Sequence, residues 1–141
     1  MLVKVEANYD QFQPDERLIM TCWWQNAGTE PSDKPLSGFM ELSFGYQRII
    51  ETDPRYFRHY WEPYPATNLW KPGEVWKTTI RYNLKMGWGG SYKISVGLCD
   101  EDHVPVDIIG EGGIPVKQLE LGQIELAWGW GTPTIERMRK P

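Results

Sequence analysis

Hydrophobic alternation with a period of two, broken repeatedly by Gly, Pro, Asn and Asp, is what most limits the folds open to this chain. No run of useful length follows the helical period, so the pattern predicts an all-β protein of short strands. The first predicted strand is Leu2 to Tyr9, with Val3, Val5 and Ala7 on one face and Lys4 and Glu6 on the other. Asp10 to Glu16 reads as a turn, and Arg17 to Gln25 as the second strand, with Leu18, Met20, Cys22 and Trp24 facing the core. A polar loop from Asn26 to Ser37 precedes a strand from Phe39 to Gly45, whose Met40, Leu42 and Phe44 point inward. Tyr46 to Thr52 is expected to return as a further strand, and Asp53 to Gly73 as a long irregular connection. Val75 to Leu84 and Ser91 to Leu98 alternate most cleanly, and the Gly-rich turn Lys85 to Gly90 suggests that they form a hairpin. A short strand is expected within Pro105 to Ile109, and Leu119 to Trp128 reads as the last strand, with Ile124, Leu126 and Trp128 on one face.

The 141 residues suit one domain, residues 1–133, followed by a C-terminal tail, 134–141. Its 40% hydrophobic content is enough to build one core. Eight Trp and seven Tyr stand against four Phe. Trp and Tyr join a large apolar face to a polar handle, which suits wet binding surfaces. A formal net charge of −4 argues against nucleic acid as partner, because phosphate binding favours a basic surface. No apolar stretch approaches the ~20 residues needed to span a bilayer, so no membrane role is expected. The chain opens directly on a strand-like pattern with no signal-peptide core, MLVKVEANYD. Either the protein stays in the cytoplasm or it is a module of a longer secreted or cell-surface protein, and the Trp-rich β composition favours the second setting.

Chemistry-bearing motifs are sparse. The sequence contains no G-x-S-x-G, H-E-x-x-H, Walker or G-x-G-x-x-G pattern, so no enzyme is expected. Gly110-Glu111-Gly112-Gly113 reads as a turn. Cys99 and His103 suggest a thiol nucleophile only if a third group orients them, and none is evident. Cys99 falls on the opposite parity to Ile94, Val96 and Leu98, whereas Cys22 shares the core parity of its strand. Two free thiols are thus expected rather than a bridge between sheets. No cofactor motif is present. Asp100 and Asp102, with Glu101 between them and Asp107 beyond, could offer oxygen ligands to calcium.

Three phrases carry a family resemblance: Trp24-Gln25-Asn26-Ala27-Gly28 after the second strand, Trp70-Lys71-Pro72-Gly73-Glu74 before another, and Gly90-Ser91-Tyr92-Lys93-Ile94-Ser95-Val96-Gly97-Leu98, with Leu119-Glu120-Leu121-Gly122-Gln123-Ile124 after them. Across roughly residues 17 to 126 the chain resembles the immunoglobulin-like accessory domains appended to bacterial glycoside hydrolases and related carbohydrate-active proteins. The resemblance implies an antiparallel immunoglobulin-like sandwich of about seven to nine strands. It carries no function by itself.

If successive strands alternate in direction, the loops Asn26–Ser37, Asp53–Gly73 and Asp100–Gln118 share one end of the sandwich. That end gathers Tyr56, Tyr60, Trp61, Tyr64 and Trp70 with nearby carboxylates, a set suited to stacking on sugar rings. Trp88 and Trp130, each beside glycine, fall at the other end and are further ligand candidates. The expected function is a non-catalytic module binding a polysaccharide or oligosaccharide. A structural domain packed against neighbouring domains of a longer chain, or a protein-binding domain, remains open.

Overall fold

The structure, a computed structural model, describes residues 1–8, 11–12, 17–44, 56–83 and 90–126. Among these are ten strands: β1 (Leu2–Ala7), β2 (Gln11–Phe12), β3 (Arg17–Gln25), β4 (Ser37–Phe44), β5 (Tyr56–Trp61), β6 (Val75–Asn83), β7 (Gly90–Cys99), β8 (Ile108–Ile109), β9 (Pro115–Val116) and β10 (Leu119–Leu126). Two single 3₁₀ turns, Thr67–Leu69 and Glu111–Gly113, are the only helical segments among the described residues. No helix there is long and apolar enough to cross a membrane. The protein is all-β in the described residues.

The strands form a three-stranded sheet in the order β1-β3-β6, a five-stranded sheet in the order β2-β10-β7-β4-β5, and the small β8-β9 hairpin. Pairing is antiparallel except between β2 and β10, which run parallel. One core lies between the two large sheets. β3 contributes Leu18, Met20, Cys22 and Trp24, each at most 1% exposed, and β6 contributes Ile80. The opposing sheet supplies Met40 and Leu42 from β4, Tyr92, Ile94, Val96 and Leu98 from β7, and Ile124 from β10. Each such aliphatic or aromatic side chain contributes about 1.5–3 kcal/mol when taken fully out of water.

β3 has the bounds and the inward face that alternation predicts, because strict alternation leaves one choice of face. Four expectations fail. In β1 a bulge between Leu2 and Lys4 shifts the register against β3. Leu2 and Val5 therefore pack on the core, while Val3 is 44% exposed. The second failure concerns Asp10 to Glu16, which is more than a turn: Gln11–Phe12 adds to the edge of the five-stranded sheet. The connection Asp53 to Gly73 is not irregular throughout either, since β5 runs along β4 from Ser43↔Tyr56 to Gly38↔Trp61. Aromatic side chains favour a pleated surface, and six residues without Gly or Pro leave the ladder unbroken. Finally, β6 and β7 form no hairpin. β6 pairs with β3, and β7 with β4 and β10, in the opposite sheet. Alternation identifies a strand's faces but carries no information about its neighbour. The expected strand Tyr46 to Thr52, the turn at Lys85, Trp128 and the tail 134–141 lie outside the described residues.

Candidate functional site

Three connections meet at one end of the molecule, and two short polar side chains join two of them. Asn26, just after β3, donates through Nδ2 to Glu30 O (3.0 Å) and Trp70 O (2.8 Å), and its Oδ1 accepts from Gly28 N (3.0 Å). Its backbone also pairs with Gly73 and Glu74. Thr67, 4% exposed, accepts from Leu36 N at 2.8 Å and pairs with the Ser32 hydroxyl at 3.1 Å. Loop 26–36 is thereby fastened to residues 67–74. The exposed Lys34–Glu101 pair, 3.5 Å apart, reaches the third connection and adds little in open solvent.

Between these connections lies a cleft of about 260 Å³. Its apolar lining comes from Trp24, Leu36, Trp70, Leu98, Val106 and Ile108. Gln25, Asn26, Ser32, Thr67 and Asp107 supply its polar side chains.

A second feature stands on the outer face of the five-stranded sheet. Tyr60 is level with Phe39 and Gly97, on the side away from the core. Its ring stacks on His103, with centroids 3.9 Å apart and planes 13° from parallel. His103 is the only non-glycine residue described with positive φ, at 61°. That conformation costs on the order of 1–3 kcal/mol outside glycine. Asp100 holds it: Oδ1 accepts from Asp102 N and Val104 N, both 2.9 Å, and the Asp100 carbonyl accepts from His103 N at 3.0 Å. Below the stack, Phe39 is fully buried on the outer face, with the Arg58 guanidinium 4.8 Å from its ring centre and Glu41 3.1 Å from that guanidinium.

The predicted ligand aromatics do not form one platform. Trp70 is 4% exposed, belongs to the core, lines the cleft, and donates its indole N–H to Pro65 O at 2.9 Å. Its large ring closes the end of the sandwich, a role that residue type alone does not separate from ligand contact. Trp61 is half-buried against the core, with its ring lying on Gly38. A Cβ at Gly38 would come within 2.3 Å of that ring. Tyr64 is 90% exposed. Tyr56 belongs to β5, but its side chain, like Trp88 and Trp130, lies outside the description. Trp23, on the outer face of β3, carries the Lys4 ammonium 4.8 Å from its ring centre.

Residue type and alternation do not mark His103 as a ligand contact. The available signal was the run Asp100-Glu101-Asp102-His103, an Asx-turn pattern ending in a residue type that tolerates positive φ. The same turn occupies one oxygen of Asp100, and Asp107 pairs with Lys117 at 2.7 Å. Among the described residues no three His, Cys, Asp or Glu gather as metal ligands. Both thiols are free and buried. Burial pushes the Cys22 thiol up to about 12. Burial also raises Cys99, with Arg58 opposing and Asp100 and Glu62 reinforcing. No protein-family model matches the chain, and no curated protein is detectably similar to it.

Proposed function

We propose that this chain is an immunoglobulin-like sandwich module that binds a saccharide without acting on it, and that the Tyr60–His103 stack meets the sugar ring. The strand order supports the first half. One sheet, β1-β3-β6, carries the first, second and fifth long strands, and the other, β10-β7-β4-β5, carries the rest, with β2 parallel to the last strand at its edge. Immunoglobulin-type sandwiches divide their strands in a similar way.

One observation carries the second half. A costly left-handed backbone at His103 is stabilised by three hydrogen bonds to Asp100, and its effect is to lay an exposed imidazole flat against Tyr60. Strain held in place by its surroundings is concentrated at binding sites. Glu62, oriented by the Ser37 hydroxyl at 2.8 Å, is two residues from Tyr60, and the exposed Tyr64 is four residues away. Flat rings take the C–H face of a sugar, and carboxylates accept from its hydroxyls. Raised thiol pKa values leave Cys22 and Cys99 as poor nucleophiles, which favours binding over thiol catalysis. A secreted or cell-surface parent protein is the matching context.

A second reading, a structural domain between neighbours in a longer chain, is favoured by the packing roles of Trp61 and Trp70. Affinity electrophoresis against soluble β-glucans, xylans, mannans and pectins separates the two. Retardation by one glycan, weakened about tenfold in His103→Gly and Tyr60→Ala, is expected for a sugar stack worth about 1.4 kcal/mol. Folded wild type that migrates freely on every glycan would transfer the assignment to the structural domain.

A further inference from the structure

The cleft at the same end of the molecule has a different chemistry from the Tyr60–His103 stack. Its polar side chains are largely engaged already. Asn26 Nδ2 donates twice, to Glu30 O and Trp70 O, and its Oδ1 accepts from Gly28 N. The Thr67 oxygen accepts from Leu36 N and pairs with Ser32, whose hydroxyl reaches Lys34 O at 2.9 Å. Gln25 Nε2 donates to Gly73 O at 3.2 Å, and Asp107 has Lys117 at 2.7 Å. A sugar ring entering here would desolvate several hydroxyls, and Asn26, Thr67 and Ser32 could not answer them without releasing the loops. Unmatched polar groups of that kind weigh heavily against a ligand.

What the cleft does offer is apolar surface. Leu36 and Val106 are partly exposed in its lining, and the buried Trp24, Trp70, Leu98 and Ile108 stand behind them. These walls are fixed by the core, and the Asn26 and Thr67 fastenings hold the opposite side, so the space exists before any ligand arrives. Its volume of about 260 Å³ exceeds the ~150 Å³ at which an apolar cavity accepts benzene. We propose that this cleft is a binding site for a small, uncharged aromatic molecule of one or two fused rings. The site is separate from the sugar-binding stack and stands whether or not that reading holds.

The test is a ¹H–¹⁵N correlation titration of the whole chain with indole, and in parallel with methyl β-glucoside. Indole is expected to shift the indole N–H signals of Trp24 and Trp70 and the amides of Ala27 and Val106, with a dissociation constant of about 1 mM or tighter. Methyl β-glucoside should leave them in place. Leu36→Trp fills the cleft from its wall and should weaken indole at least tenfold. Ala27→Trp, at an exposed lining position, does the same without touching the core and decides the matter if Leu36→Trp fails to fold. His103→Gly should bind indole as wild type does, which separates this site from the stack. The proposal is overturned if indole shifts none of these signals near its solubility limit, if the glucoside shifts them equally, or if the shifts survive in the folded cleft-filling variants.

Discussion

Phe39 has no exposed surface although it faces away from the core. Its ring crosses Gly97 and lies against the Arg58 guanidinium, which Glu41 holds in turn. A Cβ at Gly97 would come 2.5 Å from Phe39 Cζ and 3.0 Å from Lys117 O. With backbone on one side and a capped ring on the other, neither neighbour moves freely. Gly97→Ala is therefore expected to cost about 1–3 kcal/mol, read as a lower urea midpoint at unchanged slope. His59 is a second residue whose environment has a measurable consequence. It projects inward from β5 to Tyr82 of β6, ring centres 5.1 Å apart, so it joins the two sheets along one side. Burial lowers its pKa below 6.5. The unfolded chain then takes up this proton more readily than the native one, so the contribution is complete above pH 6.5 and is lost as pH falls through the lowered value. Urea midpoints measured from pH 8 to 5 should fall with acidification more steeply in wild type than in His59→Phe.

At the scale of elements, what holds the candidate site together is a pair of fastenings between connections rather than the strands themselves. Thr67 sits in a single 3₁₀ turn and is the acceptor for Leu36 N. Thr67→Val keeps the shape and removes that acceptor, leaving a part-buried N–H unpaired, so a loss of about 1–3 kcal/mol is expected. Hydrogen exchange should show faster protection loss at Leu36 and along 26–36 than in β3. The strands themselves were legible to different degrees. β3 reads Leu-x-Met-x-Cys-x-Trp, and its bounds, face and buried residues all follow from that alternation. β5 reads Tyr-Phe-Arg-His-Tyr-Trp, where large rings fall on both parities and no face declares itself. Trp61 turns inward onto Gly38 and Tyr60 outward onto His103, a split that only the register against β4 assigns.

For the whole molecule, the core draws on both large sheets without a gap between separate clusters. Loss of either sheet exposes the other, so the chain should unfold in one step, with far-ultraviolet circular dichroism and Trp fluorescence transitions coinciding. The two cysteines allow an independent check. Cys22 lies in β3 of one sheet and Cys99 in β7 of the other, and neither has exposed surface. Their thiols are held up by burial, Cys22 to about 12, so at pH 8 both are protonated as well as covered. Labelling by iodoacetamide is expected to be slow at both and to accelerate with urea in parallel, in step with global unfolding. Rapid native-state labelling of either one would indicate a sheet that opens separately.

Period-two alternation by itself determined the all-β class, the inward residues of β3 and β7, Met40 and Leu42 of β4, and the parity that kept Cys22 and Cys99 apart. These are properties of one strand and its two faces, and a local pattern contains them completely. Which strands pair, the placement of β6 and β7 in opposite sheets, the bulge that turns Val3 outward, and the division of the aromatics between core and surface were decided by the tertiary structure. A Trp presents the same apolar area to a core, to a glycine across a strand, or to a ligand. The choice among them depends on what the other sheet and the loops bring within reach, and residues far apart in the chain supply that.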